Sequence, residues 1–62
     1  MQDNLRKQVK IIKATYEKEF TYKDISEMLD ININSFYNWL NGAYDLGEQK
    51  ERKLRDFIND LL

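Results

Sequence analysis

Proline is absent from this 62-residue chain, and glycine occurs only at Gly42 and Gly47. These two residue types interrupt helices most strongly. A chain almost free of them, with 34% charged residues, reads as nearly all helix. The expectation is an all-α fold, a compact bundle of four to five helices forming one domain over residues 1–62. A chain this short buries only about 60% of its unfolded surface, and chains below about 70 residues usually need a staple. With neither Cys nor His, disulfides and Cys/His zinc sites are excluded. Tight helical packing or association with a second copy remains, and 42% apolar residues suffice for one core.

The same absences bear on function. There is no His for acid–base work, no Cys nucleophile and no glycine-rich phosphate loop, since the two glycines stand alone. No enzyme activity, cofactor, metal or small-molecule substrate is expected. No apolar run is long enough to span a membrane, and MQDNLRKQVK lacks the apolar centre of a signal peptide, so a cytoplasmic location is expected. Ten basic and eleven acidic residues give a net charge of −1, which is not the basic balance typical of nucleic-acid binders.

Hydrophobic spacing divides the chain. Leu5, Val9, Ile12 and Tyr16 share one face of a helix over residues 3–19. Arg6, Lys7, Lys10, Lys13 and Lys18 cover much of the remainder, which reads as a solvated face. Thr21 and Asp24 have the spacing of a capping box, opening a short helix with Ile25, Met28 and Leu29 inward that ends near Asp30. Asn32 is a strong N-cap for a helix from Ile33 to about Asn41, with Phe36, Trp39 and Leu40 as its apolar stripe. Gly42 supplies the left-handed cap that ends it. Gly47 precedes a last helix whose Leu54, Phe57, Ile58, Leu61 and Leu62 form a wide apolar stripe.

Two short helices joined by a turn of three or four residues form a helix-turn-helix. The segment Thr21 to Gly42 resembles that of the lambda-repressor/Cro family. Ile25 and Leu29 sit where the first motif helix buries apolar residues, and Ser26 where a small residue is needed beneath the crossing helix. Ile31 matches the buried turn residue, Phe36 and Trp39 the buried positions of the recognition helix, and Gly42 its closing glycine. The departures are Asp30 at the turn, where the family usually has Gly, and Tyr22 and Ile33, where it often has Gln. The resemblance implies sequence-specific binding of double-stranded DNA by a transcriptional regulator of the repressor/Cro kind, of phage or mobile-element origin.

On that reading Ile33, Asn34, Tyr37, Asn38 and Asn41 face base edges in the major groove. Asn can pair with adenine and Ile33 can touch a thymine methyl, so an A·T-leaning site is expected. Tyr22, Lys23, Asn32, Ser35, Tyr44, Lys50, Arg52 and Lys53 are the backbone-contact candidates. The obstacle is electrostatic: no Lys or Arg lies between Lys23 and Lys50, while each neutralised phosphate adds about −0.9 to the salt slope of binding. The rival reading is a protein-interaction module on the same fold, an antirepressor or a phage-encoded inhibitor of a host protein. The pI of about 5.3 and the outward tyrosines favour it. Phe57, Ile58, Leu61 and Leu62 are either a hydrophobic end that closes the domain or a homodimer seam.

Overall fold

The computed structural model describes residues 2–61. They form four helices: α1 (Asp3–Thr15), α2 (Tyr22–Met28), α3 (Ile33–Leu40) and α4 (Glu48–Leu61). No strand occurs among them, in line with the all-α expectation. One core joins all four helices: Leu5, Val9 and Ile12 from α1, Ile25 and the adjoining Leu29 from α2, Phe36, Trp39 and Leu40 from α3, and Leu54 and Ile58 from α4, with Leu46 from the last connection.

α1 is shorter than its spacing predicted. It stops at Thr15, and the Tyr16 carbonyl then accepts from the N–H groups of Glu19 and Phe20, both at 2.9 Å. The reason is tertiary. Tyr16 and Phe20 pack edge to face at 6.1 Å, and Phe20 meets Phe57 of α4 at 5.3 Å in the same manner. Aromatic pairs of this geometry contribute about 0.5–1.5 kcal/mol beyond burial, enough to turn the chain where periodicity alone would continue the helix.

The helix-turn-helix is built from caps. The Asp24 N–H donates to Thr21 Oγ1 at 3.2 Å and the Thr21 N–H to Asp24 Oδ2 at 2.9 Å, a complete capping box. α2 closes with Asp30 at φ +58°. The Asp30 N–H donates to Glu27 O, and the Ile31 N–H donates to Ser26 O, which is the Schellman pattern. An aspartate thus fills the left-handed position usually taken by glycine. Asn32 caps α3, its Oδ1 accepting from the Asn34 N–H at 2.7 Å. α3 ends in a second Schellman motif, with Gly42 at φ +89° and the Ala43 N–H donating to Asn38 O. Ser26 is buried and its hydroxyl donates to Lys23 O at 2.8 Å.

Besides Ser26, two polar side chains, Gln2 and Arg6, are buried, and the sequence pattern had placed Arg6 on the outer face. Gln2 uses its whole amide. Its Oε1 accepts from Trp39 Nε1 at 2.7 Å and from the Leu46 N–H at 2.8 Å, while its Nε2 donates to Leu46 O and Glu51 Oε1, both at 3.1 Å. Arg6 is 7% exposed. Its Nε donates to Trp39 O, Nη2 to Tyr44 O at 2.6 Å and Asp45 Oδ1 at 3.1 Å, and Nη1 to Asp3 Oδ1 at 2.9 Å. A cation on the last carbonyls of α3 also complements the negative end of the helix dipole. The five donors of a planar guanidinium can serve several carbonyls and carboxylates at once, which an ammonium cannot do in a fixed geometry.

Candidate nucleic-acid interface

α3 projects its polar side away from the core. Asn34, Tyr37, Asn38 and Asn41 are exposed, and Tyr37 is 45% exposed. Ile33, read from the sequence as outward, is instead half-buried and packed against the core. It is the first residue of α3, and its apolar side chain leans back toward the turn. The outward row is therefore three asparagines and a tyrosine.

The two edges of that row are held differently. Ser35 and Tyr37 are two positions apart, about 200° around a helix, so they mark opposite edges. On the Ser35 side, Tyr44 donates its hydroxyl to Ser35 O at 2.7 Å, which fastens the connection after α3 to its first turn. On the Tyr37 side, Tyr22 of α2 stands edge-on to Tyr37 at 6.0 Å, and Lys13 of α1 lies 5.7 Å from the centre of the Tyr22 ring. Burial, with a lesser effect from Tyr37, raises the Tyr22 hydroxyl above the usual tyrosine pKa. Tyr22 is thus a neutral hydrogen-bonding group at any physiological pH.

The backbone-contact candidates fall into two groups. Lys23, Tyr44, Arg52, Lys53 and Asn32 are exposed, whereas Tyr22, Ser35 and Lys50 are half-buried. Several already have partners. Lys50 Nζ donates to Leu29 O at 3.2 Å, which places its charge on the carbonyl end of α2. Arg52 pairs with Glu48 at 3.3 Å, Asn32 Oδ1 is taken by the α3 cap, and the Tyr44 hydroxyl by Ser35. Arg55 pairs with Glu51 at 2.8 Å. The Arg55 and Gln2 hydrogen bonds, in that order, hold the Glu51 carboxyl below the usual carboxylate range. The arginines of α4 therefore carry their own counterions, while Lys50 and Lys53 have no ion pair among the described residues and only Lys53 also lacks a hydrogen-bond partner there.

The proposed dimer seam is also redistributed. Ile58 is 2% exposed and belongs to the domain's own core. Phe57 and Leu61 are half-buried against that core, and Leu62 lies outside the described residues. No helix among the described residues is long and apolar enough to cross a membrane. Sequence reasoning missed Gln2 and Arg6. One signal was available for Arg6: it is the single arginine before residue 52, in a helix whose other cations are all lysine.

The family model of a transposase helix-turn-helix matches residues 6–59, almost the whole chain. No curated protein and no solved structure matches it. The chain belongs to that transposase helix-turn-helix family, a mobile-element family. The match supports the helix-turn-helix and the mobile-element origin expected from the sequence, and not the lambda-repressor/Cro family specifically.

Proposed function

We propose that this member of the transposase helix-turn-helix family is a DNA-binding module that recognises a short, A·T-leaning site in mobile-element DNA by laying α3 in the major groove. The observation that carries the reading is the outward row Asn34, Tyr37, Asn38 and Asn41 on a helix fixed at both ends. Asn pairs with the N6 and N7 edge of adenine, and a helix of this diameter fits the groove. Binding at a site that overlaps a promoter would make the same contacts act as a repressor's, which is the finer role that the lambda-repressor/Cro resemblance implies.

A protein-docking role is favoured by one specific observation: Tyr37 and Tyr44 are the exposed large aromatics of the molecule, at 45% and 40% exposure, and they accompany a pI of about 5.3. Selection of bound duplexes from a random pool, with sequencing of the survivors, tests the DNA reading. Enrichment of a short A·T-leaning motif is the expected outcome. A pool that returns without enrichment after several rounds refutes it in favour of the docking role.

A further inference from the structure

Resting on the DNA-binding reading, we infer that α1 supplies the phosphate-contacting cations that the helix-turn-helix itself lacks, through Lys7, Lys10 and Lys13. No cation lies between Lys23 and Lys50. Of the basic residues around α4's first turns, Lys50 sits on the end of α2 and Arg52 on Glu48. Lys23 and Lys53 alone would give a small electrostatic contribution for a fold that must hold a polyanion.

The fold brings a third source beside the reading helix. Lys7 and Lys10 share an open cleft with Asn41 and Gly42, at the C-terminal end of α3. Lys13 lies over the Tyr22 ring, which in turn abuts Tyr37 in the middle of α3. The lysines of α1 thus approach the Tyr37–Asn41 edge at two places, Lys7 and Lys10 at the end of α3 and Lys13 through the Tyr22 ring. Lys7, Lys10 and Lys13 follow one another at intervals of three, so they span about 9 Å of helix axis. That distance covers roughly two to three phosphates of one strand at 3.4 Å of rise each.

The local charge balance agrees. α1 contains four cations and one acid, Asp3, and Arg6 holds Asp3 at 2.9 Å. Among the described residues none of the three lysines has an ion-pair partner; Lys7 and Lys10 are exposed, and the half-buried Lys13 rests over the Tyr22 ring. A helix in the major groove has a sugar–phosphate wall on each side. The α1 stripe faces the wall on the Tyr37 edge, and Tyr44 faces the wall on the Ser35 edge.

The test is a salt titration of binding to a fluorescein-labelled 24-base-pair duplex of random sequence, for the wild type, a Lys7→Gln/Lys10→Gln double variant and Lys18→Gln. Lys18 lies in the turn after α1. Circular dichroism checks that each variant is folded. At about 0.9 per contact, the double variant should lower the slope of log Kobs against log salt by about 1.8, while Lys18→Gln should change it by less than about 0.3. The wild type would then lose about twelvefold more affinity than the double variant between 50 and 200 mM salt. If the wild type binds with a steep slope and the double variant keeps it, α1 is excluded and the DNA reading stands. If Lys18→Gln lowers the slope as much per charge, net charge is the cause and the α1 stripe is refuted. If the wild type shows no salt-dependent binding, the DNA reading itself falls and takes this inference with it.

Discussion

Replacing Gln2 with Ala removes one amide and leaves three buried groups without partners: the Trp39 indole N–H, the Leu46 N–H and the Leu46 carbonyl. A buried polar group left unsatisfied costs about 1–3 kcal/mol. Gln2 itself is 6% exposed, so water reaches part of the vacated space and offsets some of that loss. The net expectation for Gln2→Ala is a destabilisation of about 2–4 kcal/mol. A domain of this size has about 3–9 kcal/mol in total, and each kcal/mol moves its melting temperature by about 4–8 °C. The melting temperature should therefore fall by about 10–25 °C, followed by ellipticity at 222 nm and by Trp39 fluorescence together. Gln2→Glu supplies the control for shape. Its carboxylate still accepts from Trp39 and Leu46, but it loses both donors and meets the Glu51 carboxylate, so it too should be less stable at pH 7 and recover part of the loss at low pH. A fall of less than about 4 °C for Gln2→Ala would refute the reasoning, since it would mean that water replaces the amide at no cost.

Asp30→Gly should raise stability by at most about 1 kcal/mol, because it relieves a left-handed aspartate while adding unfolded-state freedom; a lower melting temperature would show that the Asp30 carboxylate has a stabilising partner. Asn34→Ala and Asn38→Ala should each change stability by about 0.5 kcal/mol or less yet weaken binding to a selected site by about 1–3 kcal/mol, whereas Lys53→Ala should weaken all duplexes alike; competition assays with selected and scrambled duplexes separate the two. Because the Glu51 pKa is lowered by folding, its contribution is present above the ordinary carboxylate pKa and disappears as pH falls through the depressed value; the acid limb of stability between pH 5 and 3 should accordingly be shallower in Glu51→Gln, as read by urea midpoints.

Most of the helix-turn-helix was legible because its signals are local. Thr21 with Asp24, Asn32 and Gly42 act on backbone groups within a few residues, so spacing alone locates the ends of α2 and α3. The apolar stripes of α3 and α4 were legible for the same reason, by their helical period. What spacing could not give were interactions across 33 to 49 residues. Gln2 and Arg6 are polar residues at the edge of α1, and nothing near them in the chain marks them as buried. The position of α1 against α3 was likewise hidden, so its lysines read as plain solvated surface. Ile33 misled for a simpler reason: a helix's first residue lies where the chain is still leaving the turn, and its side chain reaches back to the core.

The loop between α3 and α4 braces α3 at both ends. Tyr44 ties the first turn through its hydroxyl, and its carbonyl joins Trp39 O on the Arg6 guanidinium at the last turn. A helix held in this way has little conformational freedom left to lose on binding. Association with DNA would then be the docking of a rigid body, with a heat-capacity change set by the area covered and not by coupled folding. Discrimination between DNA sites would appear chiefly in dissociation rates and in how readily each duplex deforms to meet a surface that does not yield.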